Sequence, residues 1–426
     1  MVPIHIMPQV KSIITLFFEN LLPVLKKRTD VQMIWLVYQP EKINRLQQIA
    51  TDVTIVDIHD YNNAVDLLKK EKPDIIFTAA TRSFIDYALS SAAKFLNIPI
   101  FSMFWSDWYY STTRKTTNVK MNINRFFESS IPTDTNQNQK QMMRRGRFYI
   151  YKYLFLLRTQ IATKMNILKI IVNFFMLLKH NLLDLQTDSR FANTIHFLED
   201  EKLQEILVEA GFPKSTLIVT GNPLFDKSLQ KSLEQKTIGR KNEDKVRVLL
   251  APSTLYEHGF WTREQRDTTI KEIIAKIFEK KDKLSIIIKI HPSTSLLSEY
   301  KSIINSIDSS IPVYQKGDIQ EFLENTDVIV TFQSSTAEVY GVIARKPIVI
   351  CNFFNSEKDM LVEKGVAIEC TDSSYLTKSI EQAISNNPEY EQKRDDFIKE
   401  FMYKADGCAA ERICDMIMEL LDKKQN

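Results

Sequence analysis

The residues best suited to chemistry in this 426-residue chain stand just after short apolar runs. Val328 to Phe332 is a β-branched run closed by Gln333-Ser334-Ser335-Thr336-Ala337-Glu338. Ser335, with Glu338 three residues on, has the spacing of a capping box, so a helix is expected to open there. A strand that runs straight into a helix offers free N–H groups and a positive dipole end, and three hydroxyls here complete a seat for phosphate. An ordinary capped crossover helix reads the same way. Ile290-His291-Pro292 ends a second run. Pro292 cannot continue a sheet ladder, which leaves His291 at the sheet edge, where an imidazole can donate to a phosphate oxygen. A strand-end histidine can equally be structural. Ala251-Pro252-Ser253-Thr254, followed by Glu257-His258-Gly259, is a third polar end; Gly221-Asn222-Pro223, with Asp226 just beyond, is a fourth. Open α/β sheets bind ligands along such an edge.

Parallel strands must hold those ends, and the chain alternates strands with helical segments as a doubly wound sheet requires. In the first half, strands are expected at Ile4–Met7, Val31–Tyr38, Thr54–Ile58, Asp74–Thr78, Pro99–Phe104, Thr194–Leu198 and Thr216–Thr220. The second half has Val246–Ala251, Leu284–Ile290, Ile311–Tyr314, Val328–Phe332 and Ile348–Cys351. The length implies two domains. Residues 1–226 form the first, and the polar stretch 227–245 reads as a linker. Residues 246–403 form the second, and 404–426 a C-terminal helix.

The pattern breaks at about 135–185. From Thr135 to Leu183 there is no Asp or Glu, while Arg144, Arg145, Arg147, Lys152 and five further Lys or Arg residues alternate with aromatic and aliphatic runs. No run reaches the roughly 18–20 residues of a membrane span. Basic, aromatic-rich helices of this kind suit an anionic bilayer surface. The alternative is a helical hairpin packed on its own domain. Charge is divided unevenly: residues 1–200 carry 25 Lys/Arg against 17 Asp/Glu, and the remainder 31 against 36. That asymmetry points to an anionic partner for the first half.

Four cysteines without metal-ligand spacing read as reduced thiols, and no leader-like segment opens the chain, so a cytoplasmic protein is expected. Nine glycines form neither a Walker loop nor G-x-G-x-x-G.

The four strand ends together resemble a known group. Val219-Thr220-Gly221-Asn222-Pro223 with Asp226, Lys289-Ile290-His291-Pro292, Ser334-Ser335-Thr336-Ala337-Glu338 and Lys346-Pro347 look like the nucleotide-sugar side of GT-B glycosyltransferases. The resemblance is to the superfamily of UDP-N-acetylglucosamine 2-epimerases, capsular polysaccharide transferases and CDP-glycerol glycerophosphotransferases. It covers Asn193 to the C-terminus, and over the first half it is an α/β pattern only. It implies two Rossmann-like doubly wound domains facing a cleft. It also implies a transferase that moves a sugar from a nucleotide-sugar donor to a surface polysaccharide or lipid-linked acceptor at the inner membrane face. Donor contacts would come from Asn222, Ser253, Thr254, His258, His291, Ser334, Ser335, Thr336 and Glu338, the last on ribose hydroxyls. No metal or other cofactor and no nucleic-acid partner is expected. Asp107, between Trp105 and Trp108, is the candidate base for an inverting transfer. The epimerases carry His-x-Glu-Ala-Gly where this chain reads Ser102-Met103-Phe104-Trp105-Ser106-Asp107, so their acid–base set is missing. The His-Gly acceptor motif that the glycerophosphotransferases carry in the first domain, and the aspartate they carry near Glu338, are not found either. Polyol-phosphate transfer and a catalytically inactive donor-binding protein are the alternatives.

Overall fold

The structure is a computed structural model, and it describes residues 4–8, 12–37, 53–79, 84–104, 150–183, 195–209, 211–234, 245–257, 261–291, 297–333, 335–354, 358–385 and 388–425. The described residues divide into two compact units, one from those up to Phe104 and from 150 to Asp226 together with Cys408 onward, the other from those between Lys227 and Gly407.

The first unit is built on seven parallel strands: β1 (Ile4–Pro8), β2 (Val31–Val37), β3 (Val53–Asp57), β4 (Ile75–Ala79), β5 (Ile100–Phe104), β6 (Ile195–Leu198) and β7 (Leu217–Val219), in the order β3-β2-β1-β4-β5-β6-β7. Phe17, Phe18, Leu21 and Leu25 of the Ser12–Arg28 helix cover one face, meeting Trp35, Phe77, Phe101 and Phe197. Ala410, Ile413, Cys414, Ile417 and Leu421 complete the same core. Their 3–4-residue spacing is the apolar stripe of the Ala409–Gln425 helix, so the last segment of the chain belongs to the first unit's core.

The second unit has six parallel strands: β8 (Val246–Ala251), β9 (Leu284–Lys289), β10 (Val313–Tyr314), β11 (Val328–Phe332), β12 (Ile348–Cys351) and β13 (Ile368–Cys370), ordered β10-β9-β8-β11-β12-β13. All of β11 is buried because both sheet faces are covered. Val328, Val330 and Phe332 share a cluster with Ile270, Ile273, Ile274 and Ile277 of the Arg263–Phe278 helix. Ile329 turns to the opposite cluster, with Val342, Phe397 and Phe401. That split is the two-residue period of a strand.

Two elements differ from expectation. Residues 227–234, read as linker for their polarity, continue the Asp226–Glu234 helix; residues 235–244 lie outside the described set. Strand β13 was not anticipated: three residues with a central Glu369 carry too short a pattern to register. Its pairing with β12 sets Cys351 beside Cys370, and all four cysteines are free.

Candidate donor-binding site at the carboxyl edge of the second sheet

Strand order decides the site. The chain lays β8, β9 and β10 outward in one direction, then returns to place β11 on the other side of β8. The crossovers therefore diverge between β8 and β11, and the crevice at such a switch point is where open α/β sheets take ligands. Thr331 fastens the two strands there: its hydroxyl donates to Ala251 O (2.8 Å) and Phe332 O (3.0 Å).

On the β11 side Ser335 is the N-cap of the eight-residue Thr336–Ile343 helix, with its Oγ accepting from Ala337 N at 3.2 Å. Glu338 closes the box, its Oε1 accepting from Ser335 N at 3.3 Å. Its side chain is 0% exposed, so capping is the contact the geometry displays, and a ribose hydroxyl would have to be brought to a buried carboxylate. Thr336 is exposed. Lys346, the other end of this motif, is used internally: its Nζ donates to Thr326 O at 2.8 Å, and burial lowers its pKa.

On the β8 side Ser253 is buried, and among the described residues its Oγ has no hydrogen-bond partner. A buried hydroxyl left unpaired costs free energy unless something meets it. Thr254 follows, half-buried. The loop beyond is clamped from below. Tyr300 OH donates to Glu257 Oε1 at 3.0 Å, and the Arg266 guanidinium lies 4.3 Å from the Tyr256 ring centre and 5.1 Å from that of Tyr300. Arg266, almost wholly buried, is ion-paired to Asp267 (2.7 Å) and Glu299 (2.9 Å).

At β9, His291 is exposed, one residue past Ile290. Lys289 before it turns inward, donating to Ile290 O (3.2 Å) and Gln315 O (2.8 Å), and burial lowers its pKa. The second sheet thus brings Ser253, Thr254, His291, Ser335 and Thr336 to one edge. A helix N-terminus, an imidazole and an unpaired buried hydroxyl can together meet phosphate oxygens.

Asn222 lies past the last strand of the first sheet. It belongs to the first unit, where its Oδ1 accepts from Leu224 N (3.0 Å) and its Nδ2 donates to Glu199. The Gly221-Asn222-Pro223 motif is a turn, with Gly221 at φ +82°. Asp226, two bonds into the C-terminal helix, serves as that helix's cap. His258, Ser334, Asp107, Arg144, Arg145 and Arg147 lie outside the described residues; Lys152 is half-buried in the helical residues 150–162.

Two features of this edge escaped the sequence reading. Asn352, buried just past β12, donates to Glu369 Oε1 at 2.8 Å. A polar residue directly after an apolar strand is the signal that found the other ends, and it applied here too. Trp261 packs on Phe332 (5.0 Å) and edge-on to the exposed Phe354 (5.3 Å), an aromatic group beside the switch point. Among the described residues no three His, Cys, Asp or Glu side chains converge as a metal site would require.

Comparison with known proteins agrees with this geometry. The family described as CDP-Glycerol:Poly(glycerophosphate) glycerophosphotransferase matches residues 193–419. A variant of the wall teichoic acid polymerase TagF is similar in structure with a TM-score of 0.55 at 12% identity, covering 99% of this chain and 90% of that one. The UDP-GlcNAc 2-epimerase of Neisseria meningitidis, solved with UDP-GlcNAc, gives 0.54 at 15% identity over 98% and 100%. A putative UDP-N-acetylglucosamine 2-epimerase from Listeria monocytogenes gives 0.53 at 16% over 97% and 95%. These likenesses are of fold, and the fold is GT-B. No curated protein matches the chain.

Proposed function

Because the chain belongs to the CDP-glycerol:poly(glycerophosphate) glycerophosphotransferase family, we propose that it transfers a polyol phosphate from a cytidine-diphosphate-activated donor to a growing surface polymer. The observation that carries this reading is the extent of the family match. Residues 193–419 take in all of β8 to β13 and every polar strand end around the switch point. The missing His-Gly motif belongs to the first half, most of which lies outside that match.

In this reaction an acceptor hydroxyl attacks the β-phosphorus of the donor. A P–O bond to the acceptor forms as the P–O bond to the α-phosphate breaks, and CMP departs with the bonding pair. The hydroxyl proton passes to a base, for which Asp107 is the candidate. Charge growing on the departing phosphate is met by the Thr336–Ile343 helix N-terminus, by His291 and by the Ser253 hydroxyl. No resident metal is needed in this scheme.

Sugar transfer from a nucleotide-sugar is the second reading, favoured by Ser335-Thr336-Ala337-Glu338, since the family's aspartate is missing from that turn. There the acceptor attacks the anomeric carbon and a nucleoside diphosphate leaves. The two separate on the nucleotide released from a panel of CDP-polyols and UDP-, GDP-, CDP- and dTDP-sugars. CMP from a CDP-polyol supports the first reading, and a nucleoside diphosphate from a sugar donor supports the second. Folded protein that releases neither from the whole panel overturns both.

A further inference from the structure

The loop that leaves β8 carries Ser253, the buried hydroxyl that has no hydrogen-bond partner among the described residues. A hydroxyl can serve a ligand from a loop only if the backbone beneath it is held still, and a loop has no sheet ladder to hold it. Side chains do so here. Tyr256 lies on the Arg266 guanidinium, with 4.3 Å between that group and the ring centre, and Glu257 Oε1 accepts from Tyr300 OH at 3.0 Å. Trp261 N donates to Leu255 O at 3.2 Å and closes the loop on itself. Arg266 and Tyr300 are both buried, at 1% and 2% exposure.

The two anchors come from different crossovers. Arg266 stands in the first turn of the Arg263–Phe278 helix, into which the loop itself leads. Tyr300 stands in the Leu297–Asn305 helix, which follows the strand end carrying His291. The Tyr300 hydroxyl is therefore a direct polar tie between the Ser253 loop and the crossover after β9. Arg266 backs it, 5.1 Å from the Tyr300 ring centre and ion-paired to Glu299 at 2.9 Å. An ion pair taken out of water returns little net stability over apolar packing of the same size. What a satisfied polar network supplies is a single geometry. We propose that Tyr300 is a positioning residue of the donor site, holding the loop through Glu257 so that the Ser253 hydroxyl meets a donor phosphate. This rests on the reading of the crevice as a nucleotide-donor site, whichever group is transferred.

The test is a double-mutant cycle, read by calorimetric titration of the full chain with CDP and with UDP. Tyr300→Phe keeps the ring over Arg266 and removes only the hydroxyl. It should weaken the nucleotide that the wild type binds better by about fivefold, the scale of one hydrogen bond. In a Ser253→Ala background the same substitution should cost less than about twofold, because the group it positions is gone. Glu257→Ala breaks the same bond from the other side and should repeat both results. A role confined to the fold would lower the melting temperature in both backgrounds and leave nucleotide affinity alone. Unchanged affinity in the folded Tyr300→Phe and Glu257→Ala proteins overturns the proposal, as do equal losses with and without the Ser253 hydroxyl. Wild type that binds neither nucleotide overturns it together with the donor-site reading, whereas binding that ignores Tyr300 and Glu257 overturns this proposal alone.

Discussion

The carboxylate of Asp226 accepts the backbone N–H of Ala410 at 2.8 Å, joining residues 184 apart in the chain, and takes the N–H of Ala409 at 3.0 Å besides. Burial pushes the Asp226 carboxyl up to about 6, outweighing the two N–H bonds that pull it down. A raised carboxyl pKa means that the native state holds the proton more tightly than the unfolded one between about pH 4 and 6. The contribution of Asp226 to stability is therefore fully present below that window and falls as pH rises through it, by on the order of 3 kcal/mol. Asp226→Asn keeps one acceptor oxygen and removes the titration. Melting curves from pH 4.5 to 7.5 should show the variant gaining on the wild type as pH rises. Parallel curves would refute the assignment.

Glu338→Gln separates two roles. Glutamine preserves the cap on Ser335 N, so the melting temperature should hold. A ribose contact through the charged carboxylate would be weakened by roughly 1–3 kcal/mol. Donor affinity measured beside stability decides the matter; with both unchanged, Glu338 is a helix cap alone.

His291→Ala should leave the fold intact, since the side chain is exposed at a strand end. Turnover should drop roughly a hundredfold or more, the scale of losing one donor at a developing charge, about 2.7–4 kcal/mol. Near-wild-type turnover by the folded variant would remove His291 from the mechanism.

Ser253→Ala deletes a buried hydroxyl that has no partner among the described residues. Stability should stay within about 0.5 kcal/mol of wild type, while donor affinity falls by about 0.5–1.5 kcal/mol if the hydroxyl meets a phosphate. A clear loss of stability instead would show that the hydroxyl serves the fold.

Gly341 sits inside the Thr336–Ile343 helix, where alanine would ordinarily gain about 1 kcal/mol. Here a Cβ would lie 2.4 Å from Ile329 Cδ1 and 3.2 Å from Ile348 Cδ1. Overpacking of that kind costs about 1–3 kcal/mol and should win. Gly341→Ala is expected to melt below wild type; a higher melting temperature would show that Ile329 can repack.

What the sequence determined by itself is local. β-Branched runs, prolines after them and the Ser335–Glu338 spacing mark the strands, their ends and the capped helix, because these depend on residues within one turn or one strand of each other. The apolar stripe of Ala410, Ile413, Cys414 and Ile417 likewise marks an amphipathic helix. Tertiary structure alone decided what those pieces meet. Ser253 and Ser335 belong to one crevice because β11 pairs with β8 and not with β10, a matter of crossover direction that no residue pattern encodes. Asn222 is held in its turn by Glu199, a partner 23 residues away that no local pattern names; Asp226 found its purpose only in a helix 183 residues later. In the Ile167–Leu183 helix, hydropathy is high on every side, so periodicity could not say which face is covered. The body beneath it buries Ile170 and Leu177 and leaves Leu168 and Phe175 outside, because a packed surface can bury only the side of a helix that touches it.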